Sequence, residues 1–271
     1  MSEPTFWQKA LEQTAALSKT TKRPGGKQSA AWRNSIFDSG ERREAARSST
    51  RFKVRVTWQN RETMVSGGHE RAAALLLDHL WAVGLISRWK PQPLCMSEIG
   101  GSSAVPDFLA ELRRPPGTLH LIQVKAARFL TQEVNEEFDG QRLVAQSNGM
   151  GFHVWTNANV LGGKTLHTLN NLDRGSRNSP VPERIEEIRV AAQQCKTLGE
   201  LLDRFDWDDV EAAAASFAYF IDVTKSMDRN SPIRTTAAPQ LYEHLFMGRS
   251  SPTSFWKSLA PVSAAELCAR P

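Results

Sequence analysis

An α/β protein with a second, mostly helical part is what the sequence predicts, and three observations predict it. Between about residues 51 and 160, segments with the two-residue period of a strand alternate with segments of helical period. From about residue 182 the pattern turns helical. The 271 residues are 40% hydrophobic with a mean hydropathy of −0.42, enough apolar material for one large or two ordinary domains. No apolar run reaches membrane-spanning length, and the first residues lack the apolar stretch of a secretory signal. The three cysteines, Cys95, Cys195 and Cys268, are distant and odd in number, so a reducing, cytoplasmic setting is expected.

Charge is distributed unevenly. Residues 1–60 hold 12 Lys/Arg against 5 Asp/Glu, a net of +7, whereas the remainder holds 22 against 24, a net of −2. A basic leading segment suits a phosphate backbone, because binding to each phosphate releases counterions. Residues 1–50 read as a weakly structured basic arm: "KTTKRPGGKQSA" and "GERREAARSSTR" are polar and punctuated by Pro, Gly and Ser, with a short helix near "FWQKALEQTAALS".

The elements follow in order. "RFKVRVTW" alternates and is rich in β-branched and aromatic residues, a strand. "SGGHERAAALLLDHLWAVG" is a helix that Ser66 can cap and Gly84 can end. Steps of three and four from Glu70 reach Ala73, Ala74, Leu77, Leu80 and Trp81, so Glu70 heads the apolar stripe. "LISRWKPQPL" reads as a short strand, residues 132–147 as a helix and "FHVWT" as a strand. Residues near 162–181 read as a linker or an irregular connection. Beyond them "PERIEEIRVAAQQ" opens with a first-turn proline, Thr197 and Glu200 match a capping box, and "DWDDVEAAAASFAYF" begins with acids and fills with alanine. "FIDVTKSMDRNSPIRTT" then reads as two short strands and a turn. Three helices followed by a β-hairpin is the layout of a winged helix. The expected domains are thus the arm at 1–50, an α/β domain at 51–165 and a winged-helix-like domain at 166–271.

The stretch "VPDFLAELRRPPGTLHLIQVK", residues 105–125, is a hairpin whose turn is "RRPPG". With Leu112 opposite Thr118, Asp107 stands opposite Gln123 and Val105 opposite Lys125. Cross-strand partners share a face, so Asp107, Gln123 and Lys125 cluster on one side and Phe108, Ile122 and Val124 on the other. A slip of one residue would break the cluster. Asp107 and the Gln123 amide oxygen are hard donors suited to Mg²⁺ or Mn²⁺. Lys125 is a point charge able to orient a nucleophilic water or steady a developing phosphate charge. Glu70, on a core-facing stripe where a carboxylate is costly unless paired or metal-bound, completes the set.

These residues carry a resemblance. Glu70 on a helix, "VPD" ending at Asp107 and "QVK" over 123–125 on a hairpin resemble the core of the PD-(D/E)xK nuclease superfamily, a restriction-endonuclease-like fold. Gln where the superfamily usually has an acid resembles its TnsA branch, the endonuclease of heteromeric cut-and-paste transposons. "VSGGHERAAALLLDHL", "VGLISRWKPQPL" and "QVKAARFLT" are similar to segments of that branch, and the resemblance covers about residues 51–160. The acids of "ERIEE" and "DWDD" in the C-terminal half suit a basic protein partner.

The resemblance implies a metal-dependent endonuclease that cuts one strand, on the 5′ side, at transposon ends in double-stranded DNA. The implied partners are a TnsB-like transposase, which cuts and joins the other strand, and a TnsC-like ATPase regulator. Glu70, Asp107 and Gln123 would handle Mg²⁺ or Mn²⁺, and Lys125 would assist the nucleophile. The implied location is the bacterial cytoplasm, on the nucleoid when DNA is bound. Two other functions stand beside this one: a restriction or repair nuclease of the same superfamily acting alone, and a catalytically idle DNA-binding adaptor of a transposition complex. No Walker motif or dinucleotide-binding loop is present, so the chain is not expected to be the ATPase.

Overall fold

The computed structural model of the chain describes residues 29–39, 51–56, 59, 61–114, 117–177 and 181–246. The helix expected near "FWQKALEQTAALS" lies outside them. An antiparallel hairpin of β1 (Arg51–Val56) and β2 (Arg61–Ser66) precedes helix α2 (Gly68–Ala82). A mixed four-stranded sheet follows, in the order β3 (Ile86–Pro91), β4 (Phe108–Leu112), β5 (Leu119–Val124), β6 (Gly151–Trp155). Strands β3, β4 and β5 are antiparallel neighbours, and β6 runs parallel to β5 after the crossover helix α3 (Gln132–Ser147). The fold is therefore α/β with a mixed sheet and several helices. No helix among the described residues is long and apolar enough to cross a membrane.

Alternation along the strands supplies two cores. Trp89, Phe108, Ala110, Ile122, Val124 and Trp155 meet Ala73, Leu76, Leu77 and Leu80 of α2, together with Val54 and Val65 of the hairpin. On the opposite face Leu109, Leu119, Leu121 and Phe152 meet Phe138 and Ala145 of α3 and Ile36 and Phe37 of α1 (Ala30–Asp38).

Helix α1 corrects the expectation of a weakly structured segment up to residue 50. Ser29 caps it, accepting the Trp32 N–H, and Ile36 and Phe37 bury one side of it. Its C-terminal end also receives Lys90, fully buried on β3, whose Nζ donates to the carbonyl oxygens of Ile36 (2.8 Å) and Ser39 and to the Ser39 hydroxyl (2.9 Å). A lysine can be buried there because helix-end carbonyls supply both partners and negative potential.

The linker expected at 162–181 is instead helix α4 (Gly163–Arg177). It runs through the boundary drawn at 165/166, and Leu172 packs in both the first core and the C-terminal one. Gly175 lies so close to the backbone of α7 (Trp207–Ala215) that a Cβ would stand 2.6 Å from the Glu211 carbonyl oxygen. Arg174 holds the fully buried Glu211 carboxylate at 2.7–3.0 Å.

Helices α5 (Pro182–Ala192), α6 (Leu198–Leu202) and α7 form a third cluster. The expected hairpin after α7 reduces to two isolated bridges among the described residues, Phe220 with Arg234 and Thr197 with Pro232. Pro232 has no N–H to extend a ladder. The final 3₁₀ segment Pro239–Phe246 returns to the first core through Tyr242, Leu245 and Phe246. Two caps also differ from expectation. Gly67, at φ +85°, starts α2 in place of Ser66, and the Thr197 side chain makes no capping bond, although Glu200 accepts the Lys196 N–H at 2.9 Å.

Candidate active site

The hairpin register places Phe108 opposite Ile122 and Leu109 opposite Leu121, with the Leu112 N–H donating to the Thr118 carbonyl at 2.9 Å. Residue 107 thereby comes opposite residue 123. Phe108, Ile122 and Val124 point into the α2 core, and Leu109 and Leu121 into the α3 core. Gln123 follows the second set by alternation, half-buried.

Asp107 is tied to this end of β5 by its side chain. Its Oδ2 accepts the Val124 N–H at 2.6 Å, and its backbone carbonyl accepts the Gln92 N–H at 2.8 Å. The carboxylate thus occupies the position a β4 carbonyl would take if the ladder continued, between Gln123 and Lys125. Lys125 is held by its backbone, which donates to Trp155 of β6 at 3.0 Å. Among the described residues, neither the Gln123 amide nor the Lys125 ammonium has a hydrogen-bond partner, so both remain available to a ligand.

Glu70 reaches the same end of the sheet from the other layer. The C-terminal end of α2 closes at Gly84 (φ +83°), where the Leu85 N–H meets the Leu80 carbonyl, and Leu85 then accepts the Arg113 N–H beside the β4–β5 turn. Fifteen helical residues span about 22 Å, so the first turn of α2 lies toward the opposite end, with Pro91, Asp107 and Val124. There the Glu70 Oε2 accepts the Ser66 N–H at 2.9 Å. Burial raises its carboxyl above the usual range, against the lowering effect of that hydrogen bond. The structure thus joins Asp107 directly to the 123–125 segment and brings Glu70 to the same end of the sheet, with no bond between Glu70 and the other three.

The residue types suit a divalent cation. A desolvated carboxylate without a positive partner, a second carboxylate fixed by a backbone N–H and an unengaged amide oxygen are all hard oxygen donors, with Glu70 approaching from the layer opposite the face that Gln123 follows. Among the described residues no group of three or more His, Cys, Asp or Glu could hold a metal, so this set rests on two acids and an amide.

Two features of the site were not legible as functional signals. Helices α2, α3 and α4 all begin at this end of the sheet, because α2 leads back into β3 and the other two follow the C-terminal ends of β5 and β6. Their positive ends favour an anion there. Gln92 also flanks Asp107 with a positive φ of 42°. The repeated prolines of "KPQPL" were the only hint of a fixed bend.

No protein-family model matches this chain, and no curated protein matches it either.

Proposed function

We propose that the chain is a metal-dependent DNA endonuclease of the TnsA type, with a PD-(D/E)xK core, cutting the 5′ side of transposon ends together with a TnsB-like transposase under a TnsC-like ATPase regulator. The observation that carries the reading is the Asp107 carboxylate seated on the Val124 N–H between Gln123 and Lys125. It sits in a hairpin register that keeps the three polar residues on one side. The first turn of α2 supports it by bringing Glu70 to the same end.

In this reading Glu70, Asp107 and Gln123 hold Mg²⁺ or Mn²⁺, which when bound would polarise the scissile phosphate and acidify water. Lys125 orients the attacking water and offsets charge on the phosphate. The anchored Asp107 keeps its geometry without reorganisation, which lowers the barrier to an in-line displacement. The neutral Gln123 makes cation binding weaker than a third carboxylate would, so activity depends on assembly with partners.

The C-terminal part is a winged-helix-like module in the same reading. What supports it is the order α5, α6, α7, with the strand-like residue 233 donating its N–H to Lys196 ahead of α6 and neighbouring the mutually bonded pair Phe220 and Arg234 after α7. Its acids, including Glu183, Glu187 and Asp208, suit a basic protein surface.

The test is strand cleavage of transposon-end DNA in Mg²⁺ by the purified chain, with and without the transposase. Cleavage at the 5′ side that appears only in the mixture is the expected result. Robust cutting of any sequence by the chain alone would support the stand-alone nuclease instead, and no cleavage in either reaction would support the idle adaptor.

A further inference from the structure

Only two non-glycine residues among those described have positive φ, Phe217 at 59° and Gln92 at 42°. Phe217 has a structural reason. It closes the end of α7, where the Ala218 N–H reaches the Ala213 carbonyl and its own N–H the Ala214 carbonyl, and its ring packs on His79 and Phe220. Gln92 closes no helix. It stands between Pro91 and Pro93, and a residue before proline is pushed toward extended backbone, so its conformation is doubly disfavoured.

The bend itself has a purpose. It lets the Gln92 N–H donate to the Asp107 carbonyl at 2.8 Å, one rung beyond the last β3–β4 pair, Pro91 with Phe108. A glycine would make the same bend without the steric penalty. The backbone therefore explains the bend and leaves the glutamine unexplained. Its side chain is half-buried and, among the described residues, makes no hydrogen bond. Strain retained at a site commonly accompanies function, and here the observed outlier adjoins the residue on which the proposed chemistry depends.

We infer that Gln92 is a substrate-positioning residue whose amide N–H donates to a phosphate oxygen of the cleaved strand, next to the scissile phosphate. The inference rests on the nuclease reading and deepens it. A neutral donor suits the position. A lysine or arginine one rung from Asp107 would pair with that carboxylate and compete with a cation for it, whereas an amide can hold a phosphate oxygen beside two acids without doing so.

The experiment uses the full chain with its transposase on end DNA in Mg²⁺ and compares Gln92→Gly, Gln92→Asn and Asp107→Asn. Gln92→Gly relieves the backbone and removes the amide. It is expected to leave Tm at or above the parent value while slowing single-turnover cleavage roughly 10- to 100-fold, the worth of one hydrogen bond to a charged oxygen. Gln92→Asn, which tolerates the left-handed region and keeps an amide, is expected to recover most of that loss. Neutral methylphosphonate groups placed singly along the cleaved strand locate the partner. The parent should be impaired at one position near the cut where Gln92→Gly suffers no additional loss. Parent-like cleavage by Gln92→Gly, or equal sensitivity of both proteins at every position, overturns the inference. If Asp107→Asn is inactive in that case, only the role of Gln92 has failed. If Asp107→Asn cleaves normally, the nuclease site and this inference fall together.

Discussion

The carboxylate of Asp107 accepts the backbone N–H of Val124 at 2.6 Å, so a single side chain both ends the β4–β5 ladder and is held beside Gln123 and Lys125. The two tasks can be separated. Asp107→Asn retains an oxygen for the Val124 N–H, while Asp107→Ala leaves that N–H without its partner, a loss of about 1–3 kcal/mol when buried. The asparagine variant is expected to unfold within about 1 kcal/mol of the parent yet lose Mg²⁺-dependent cleavage. Chemical denaturation paired with the end-cleavage assay checks this. Normal cleavage by a folded Asp107→Asn protein would place the chemistry elsewhere.

The hairpin was legible because its turn residues and its alternation agree: "RRPPG" allows few registers, and a slip of one residue would take Asp107 off the face shared by Gln123 and Lys125. Helix α4 was not. Its leucines Leu166, Leu169 and Leu172 do recur at helical spacing, but the rest of its buried side is Thr165, Thr168, Asn171 and Gly175, polar or small residues that read as a loop. Its fit against α7 depends on the absence of a side chain at Gly175, which only the tertiary structure reveals. Helix α1 was hidden for a similar reason, with two buried apolar residues inside a basic, polar stretch. Strand β2, "RETMVS", is half-buried and was recognisable only through its pairing with β1. At the candidate site, the residue types are visible in the sequence, whereas the φ of Gln92 is a property of the folded backbone.

The Gly151 position is fixed by a histidine. On β5, His120 shares a 2.8 Å Nδ1···Nε2 hydrogen bond with His153 of β6, and Phe246 packs edge-on against both rings. A Cβ at residue 151 would stand 2.2 Å from the His120 Nδ1, and the ring is confined by its two neighbours. Gly151→Ala is expected to destabilise the fold by about 1–3 kcal/mol through overpacking. The double variant with His120→Ala should cost much less than the sum of the two single changes, a coupling that denaturant titration of the four proteins measures. Additive effects would show that the ring has room to move.

Acid should weaken the fold from about pH 6.5 downward, through its buried histidines. Burial lowers His79 and His120 to about 4. His153 is lowered to about 3 by burial, with smaller contributions from His120 and Arg142. In the unfolded chain each binds a proton near pH 6.5. Above that pH both states are neutral and these residues contribute no pH dependence. As pH falls below 6.5 the unfolded state gains protons that the folded state refuses, so stability falls until about pH 4, by up to roughly 1.4 kcal/mol per unit per histidine. Urea unfolding at successive pH values checks the slope. His79→Phe, which keeps a ring against Phe217 and leaves Tyr242 bonded to Ile221 and Val223, should remove about one histidine's share. An unchanged slope in that variant would show that His79 titrates normally.

Two truncations distinguish the charge of the leading segment from its structure. Residues 1–28 carry five Lys/Arg and two Asp/Glu. Removing them takes away phosphate-binding charge while sparing α1 and its Ser29 cap. DNA binding should weaken on all sequences, and the slope of log affinity against log salt should become shallower by up to about 0.9 for every phosphate no longer neutralised. Tm should change little. Removing residues 1–50 also deletes the Ile36 and Ser39 carbonyls that receive the Lys90 ammonium, and uncovers the core face beneath Ile36 and Phe37. A buried lysine that loses the Ile36 and Ser39 oxygens is costly, so this longer truncation should destabilise the fold by several kcal/mol. Lys90→Met, an apolar side chain of similar length, should restore part of the stability in the longer truncation, because it removes the buried charge. An unchanged salt slope in the first truncation would make the basic segment inert toward DNA. Equal stability of the two truncated proteins would mean that α1 is dispensable and that Lys90 finds water in place of the helix end.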